Sequence, residues 1–166
     1  MQANGKYPVP PGVTLIGGLD SSGYLVDAKT LEPIEDKKMY AALLSGGAYA
    51  EYAAVVKDHL IPIDGMTELE GAAMSEVWIT AYQLLKFILQ VEENKDKTAL
   101  IYAAASGVGT SLIQLCKLFG IKTIAIASTS EKLEFCEKLG ADFFINYKEN
   151  AKDAFVQKVM EFTHNK

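Results

Sequence analysis

The stretch from Thr98 to Lys132 constrains this chain more than any other: TALIYAAASGVGTSLIQLCKLFGIKTIAIASTSEK. An apolar run, Ala99 to Ala105, is followed by the turn Ser106-Gly107-Val108-Gly109. Leu112, Ile113, Leu115, Cys116 and Phe119 then recur at helical spacing, and Gly120 is placed to stop that helix. A second apolar run, Thr123 to Ala127, comes directly after. Strand, glycine turn, helix and strand over about 30 residues form the βαβ unit of dinucleotide-binding folds.

The glycines have a physical purpose in such a unit. A pyrophosphate must reach backbone N–H groups at a helix N-terminus, and a side chain at that point would block it. The G-x-G-x-x-G string is not literally present. Its place is taken by Ala103-x-x-Ser106-x-x-Gly109 with Gly107 alongside. On its own the turn is also what an ordinary strand-to-helix junction would show; the following helix and strand favour the nucleotide reading.

Beyond this unit the pattern continues. A helix is expected over Ser130–Leu139 ending at Gly140, a strand over Phe143–Tyr147, and a helix over Ala151–Thr163 with Phe155, Val159, Met160 and Phe162 mostly on one side. Upstream, Tyr7 lies in a proline-rich loop. Residues 13–63 alternate short apolar runs with turn residues, which predicts a small all-β module. VTLIGGLDSSGYLVDA reads as two strands about Gly17-Gly18, and KMYAALL with AYAEYAAVV as a hairpin about Ser45-Gly46-Gly47. HLIPI reads as an edge segment because Pro62 cannot donate to a ladder. Thr67 to Gln90 reads as one helix, with Trp78, Ile79, Tyr82, Leu85 and Leu89 as its packing stripe.

Composition excludes several classes. The net charge is −5, which disfavours a nucleic-acid partner. No uninterrupted apolar stretch is long enough to span a bilayer, and Met1-Gln2-Ala3-Asn4 lacks the features of a signal peptide, so a cytoplasmic protein is expected. Cys116 and Cys136 fall on apolar helix faces and read as core residues rather than a disulfide. With His59 and His164 scattered, the sequence holds no zinc pattern.

The second strand ends Ala127-Ser128-Thr129-Ser130, without the carboxylate that usually holds the ribose 2′-hydroxyl of NADH. Hydroxyls followed by Lys132 suit a 2′-phosphate, which favours NADPH. Ser128 or Ser130 capping the helix, with Lys132 solvated, is compatible with the same residues.

Further strings sharpen the reading: Tyr7-Pro8-x-Pro10-Pro11-Gly12, Ser75-Glu76-Val77-Trp78-Ile79-Thr80-Ala81-Tyr82, Ala105-Ser106-Gly107-Val108-Gly109-Thr110, Glu137-Lys138-Leu139-Gly140-Ala141 and Ile145-Asn146-Tyr147-Lys148. Together they resemble the quinone oxidoreductase branch of the medium-chain dehydrogenase/reductases. The resemblance implies an α/β chain with a partial GroES-like β domain at 1–75 and the first βαβαβ half of a Rossmann domain at 76–166. It implies a zinc-independent, homodimeric enzyme reducing quinones or enones with NADPH. It places Ser106, Gly107, Val108 and Gly109 at the pyrophosphate, and Thr129, Lys132 and Tyr147 around the 2′-phosphate, to which the hydroxyl run at the end of the second strand adds Ser128. Thr80 resembles a threonine beside the nicotinamide and Tyr7 a tyrosine at the substrate mouth. Set against the family's full pattern, the chain is expected to be a member truncated at both ends. The alternative expectation is a nucleotide-binding or interaction module without turnover.

Overall fold

The computed structural model describes residues 8, 11–43, 45–94, 96–149 and 152–164. They divide into two compact units, 1–76 and 77–166.

The first unit is built on the antiparallel pair β1 (Asp20–Val26) and β2 (Pro33–Ala42), with β3 (Ile61–Pro62) on the far side of β2. The turn between β1 and β2 is set by Asp27. Its carboxylate accepts the backbone N–H groups of Lys29 (2.9 Å) and Thr30 (3.0 Å), and these bonds hold the carboxyl below its usual range. The expected hairpin of KMYAALL with AYAEYAAVV does not form. KMYAA belongs to β2, but its partner is β1, in the register Asp20↔Ala42 to Tyr24↔Lys38. Residues 48–56 carry no strand, and Tyr49, Tyr52 and Val56 are exposed. The stretch before β1 is likewise not a strand. Gly47 N–H donates to Ile16 O and Tyr49 N–H to Gly17 O, so two loops tie to each other where strands were expected.

The helix expected over Thr67 to Gln90 is broken. A single turn and a half, α1 (Glu68–Ala72), starts from a full capping box: Thr67 Oγ accepts Glu70 N–H, and the Glu70 carboxylate accepts Thr67 N–H at 2.8 Å. The chain then leaves the helix and is tied to β1, where the Asp20 carboxylate accepts Ser75 Oγ–H (2.9 Å) and Glu76 N–H (2.8 Å).

The second unit opens with α2 (Val77–Gln83), which runs into a π-helical turn, Leu84–Ile88. The interrupted helix and the wider π-turn destroy the long 3.6-residue stripe. Of the five side chains expected on it, only Leu85 is fully buried; Ile79, Tyr82 and Leu89 are exposed.

The rest of the unit is a parallel sheet in the order β4-β5-β6, made of β4 (Thr98–Ile101), β5 (Lys122–Ala127) and β6 (Phe143–Asn146). Helices α3 (Gly107–Phe119), α4 (Ser130–Leu139) and α5 (Lys152–Phe162) follow the three strands in turn. The apolar side chains segregate into two clusters. One joins Ile101, Ala104, Ile113, Cys116, Ala125 and Cys136. The other joins Ile124, Ile126 and Ile145 with Phe155, Val159 and Phe162 of α5. Asp142 pins the register: its carboxylate accepts Thr123 N–H at 2.7 Å and the Thr123 hydroxyl at 3.2 Å.

Both expected helix stops are found. Gly120 (φ 72°) and Gly140 (φ 106°) adopt the left-handed conformation. Ile121 N–H then donates to Cys116 O and Ala141 N–H to Cys136 O. Both cysteines are free and fully buried. Burial, aided by the nearby Asp142 charge, pushes the Cys116 thiol up to about 11. Its pKa in the unfolded chain is close to the ordinary 9.0. The unfolded state therefore releases this proton first as the pH rises. The contribution of this thiol to the urea midpoint should be constant below the ordinary thiol pKa and fall as the pH climbs from there toward the raised value. A Cys116→Ala variant should lose that part of the alkaline decline.

No helix among the described residues is long and apolar enough to cross a membrane.

Candidate functional site

Strand β4 ends at Ile101, four residues before the expected limit of the apolar run. The reason is Ala103, which takes φ 50° and turns the chain. Ser106 N–H donates to Ala103 O at 2.8 Å and closes the turn, while Ala104 N–H donates to Ile126 O at 3.0 Å and holds it to β5.

Ser106 is the N-cap of α3. Its hydroxyl oxygen accepts Gly109 N–H at 3.2 Å, and its carbonyl accepts Thr110 N–H at 2.8 Å. The N–H groups of Gly107 and Val108 sit in the first turn, where no intrahelical acceptor exists. They are the donors this helix offers to an anion. Glycine is needed at 109 for packing: a Cβ there would lie 2.6 Å from both Ala103 O and Ala104 O. At Gly107 a Cβ would meet only a side-chain methyl, Val77 Cγ1, at 3.0 Å.

At the carboxyl ends of the strands lies an open pocket of about 260 Å³. Ser106, Ser128, Lys132 and Tyr147 line it, together with Ala103, Ala105 and Ala127. Four of the residues expected around a nucleotide are thus brought together. Lys132 Nζ lies 3.4 Å from Ser128 Oγ and makes no salt bridge among the described residues. Tyr147 follows directly on β6, and its N–H donates to Ala127 O at 3.1 Å, which fixes it beside the end of β5.

The other expected residues are placed differently. Thr129, rather than Ser128 or Ser130, caps α4; its hydroxyl oxygen accepts Lys132 N–H at 3.4 Å, and it is not among the pocket-lining residues. Thr80 lies half-buried on α2 and does not line the pocket either. Tyr7 lies outside the described residues. One pocket residue escaped the sequence reading: Tyr102, an aromatic inside what reads as a strand, is 65% exposed and lines the pocket. The positive φ of Ala103 next to it is the feature that takes this position out of the strand, and alanine gives no sign of that.

The site has the makings of a cofactor cradle. It combines helix N–H donors with a glycine approach and a lysine that has no carboxylate partner among the described residues, at the carboxyl edge of a parallel sheet, where such folds bind ligands. Among the described residues, no three His, Cys, Asp or Glu side chains gather to hold a metal.

Comparison with known proteins agrees with this architecture. Residues 107–166 match the family model described as zinc-binding dehydrogenase. The chain is 32% identical over 155 residues to the mitochondrial enoyl-[acyl-carrier-protein] reductase of Caenorhabditis elegans, covering 89% of this chain and 44% of that one. It is 33% identical over 149 residues to the chloroplastic quinone-oxidoreductase homolog of Spinacia oleracea, covering 86% and 44%. Its fold superposes on Escherichia coli quinone oxidoreductase, solved as a complex with NADPH, with a TM-score of 0.79 and 26% identity over 95% of this chain and 48% of that one. The chain thus spans less than half the length of each of these relatives. With a β unit corresponding to part of a GroES-like domain, a second unit with the topology of half a Rossmann sheet, and the matched dehydrogenase segment at 107–166, the chain has the fold of the medium-chain dehydrogenase/reductases and is similar to members of that superfamily.

Proposed function

We propose that this chain carries the NADPH-binding part of an oxidoreductase that passes reducing equivalents to quinones or related enones. The observation that carries the cofactor choice is the end of β5, where Ser128, Lys132 and Tyr147 line one pocket and Lys132 has no salt bridge among the described residues. A 2′-hydroxyl is usually held by a carboxylate, and the pocket lining includes none among the described residues; a 2′-phosphate calls for donors, which the Lys132 ammonium and the Ser128 and Tyr147 hydroxyls can supply. Ser106 and the Gly107 and Val108 N–H groups would receive the pyrophosphate. Gly109 allows α3 to approach the turn closely enough for that. Thr80 is assigned to the nicotinamide end and Tyr7 to the substrate mouth, both on the family resemblance. When bound, NADPH supplies the reducing equivalents, and the protein's part is to hold and orient it. The enone and quinone substrate class rests on relatives such as the spinach quinone-oxidoreductase homolog and the nematode enoyl reductase. The two units are proposed to meet their family roles as a GroES-like part at 1–75 and a Rossmann part at 76–166.

The test is the ratio of NADPH to NADH dissociation constants. Lys132 is expected to see only the 2′-phosphate, through a charge-assisted contact worth about 1.5 kcal/mol at an exposed site. Lys132→Ala should therefore weaken NADPH by roughly tenfold, leave NADH nearly unchanged, and do so less at high salt. A ratio that stays put would make Lys132 a solvated helix residue and end the 2′-phosphate assignment. Oxidation of NADPH by the chain with a panel of quinones tests the reaction class separately; binding without consumption would mark a nucleotide-binding module instead.

A further inference from the structure

The phosphate reading uses Ser106, Ser128, Lys132 and Tyr147 of the pocket lining and leaves the aromatic side chain Tyr102 unassigned. Tyr102 lines the pocket, 65% exposed, and its ring lies 6.1 Å from that of Phe155, tilted by 37°. Phe155 is itself packed against Ile124, Ile126 and Ile145 on the sheet, so the Tyr102 ring has a braced neighbour. The same pocket is also lined by the small apolar residues Ala103, Ala105 and Ala127. A phosphate needs none of this. A flat heteroaromatic ring attached to a phosphorylated sugar would use all of it: a stacking face, an apolar lining and an anion site in one pocket.

We propose that Tyr102 is the purine platform of this site, on which the base of the phosphorylated nucleoside stacks while its phosphate meets Lys132. This rests on the NADPH reading and adds a residue that sets how tightly the adenosine half is held. The contribution comes from the π-face rather than the hydroxyl. Tyr102→Phe should therefore keep it, and Tyr102→Leu, of similar apolar bulk, should lose it. Because the side chain is largely exposed, neither change should disturb folding, which a thermal melt of each variant checks.

The probes are NADPH, NADH, adenosine 2′,5′-bisphosphate and inorganic pyrophosphate, titrated against wild type and both variants. Stacking of a base on an aromatic side chain predicts about a tenfold loss in Tyr102→Leu. That loss should be the same for NADPH, NADH and the bisphosphate, because all three carry adenine. Pyrophosphate, which has no base, should bind the variants as it binds wild type. The NADPH-to-NADH ratio should not move, which separates this residue from Lys132. Unchanged affinity in Tyr102→Leu would overturn the platform. So would equal losses in the Phe and Leu variants, or a parallel loss for pyrophosphate. If wild type binds neither NADPH nor the bisphosphate, the functional reading falls and the platform falls with it; if wild type binds both and Tyr102→Leu does too, only the platform is lost.

Discussion

Gly109→Ala should abolish tight NADPH binding and also lower the stability of the second unit by about 3 kcal/mol, the upper part of the range for forcing a methyl into a packed site. The added Cβ would sit 2.6 Å from two carbonyl oxygens, Ala103 O and Ala104 O, and 2.8 Å from the Ala104 carbonyl carbon. These are backbone atoms, so no rotamer change relieves the clash. The turn has little room to yield. Ala103 is already at φ 50°, and Ala104 N–H is bonded to Ile126 O on β5. Moving the turn breaks that bond or the Ser106 cap, and either change misplaces the N–H groups of Gly107 and Val108. Two other glycines supply controls. Gly107→Ala meets a single side-chain methyl at 3.0 Å, which can shift, so its cost should stay below about 1 kcal/mol. Gly120→Ala, at φ 72° with open space around it, should cost about 1–2 kcal/mol of left-handed strain and leave NADPH affinity intact, because it sits at the far end of α3. Urea melts followed by Trp78, the single tryptophan, and NADPH titrations of the three variants give the comparison. If Gly109→Ala is as stable as Gly107→Ala, close approach is not what glycine provides at 109.

How far the sequence could be read follows from the range of the interactions involved. The α3–β5–α4–β6 stretch was legible because its determinants are local. Ser106 and the glycines at 120 and 140 start and stop helices through bonds spanning three to five residues. The β unit was not, because its pairing is settled between distant segments. Periodicity cannot tell that KMYAA pairs with β1 rather than with the run after Gly47. The signal that could have told was Asp27-Ala28-Lys29-Thr30, an Asx-type turn that selects the β1–β2 connection. The break near Ser75 was invisible for a similar reason. Ala-Met-Ser-Glu contains no helix breaker, and the chain leaves the helix because Asp20, far away in sequence, takes Ser75 and the Glu76 N–H. At the site, the residue types of the anion end could be read from the absence of a carboxylate. Which hydroxyl caps α4 could not, since Ser128, Thr129 and Ser130 are equivalent in type and only the backbone at Thr129, φ −147°, makes it the cap.

Ile145→Ala should be the most destabilising of simple truncations on the α5 face, at about 2–5 kcal/mol. Ile145 is fully buried in β6 and packs in one cluster with Ile124, Ile126 and the aromatic side chains of α5. β6 has four residues and, among the described residues, pairs with β5 alone, so few other contacts offset a cavity there. The loss should be felt first in α5, whose Phe155, Val159 and Phe162 close over that cluster, and next in Tyr147, which follows β6 directly. Amide exchange in 152–162 should therefore speed up well before exchange in α3 does. Ile113→Ala makes the same chemical deletion in α3, in the cluster that shares no residue with the first. It should cost a similar amount and leave the exchange of α5 near its wild-type rate. Because the two clusters are separate, the gentler pair Ile113→Val and Ile145→Val should each cost about 0.5–1.5 kcal/mol and add to within about 0.5 kcal/mol in the double variant. Faster exchange in α3 than in α5 on truncating Ile145, or strong coupling in the double variant, would mean that the sheet transmits strain between its faces and that the two clusters act as one core.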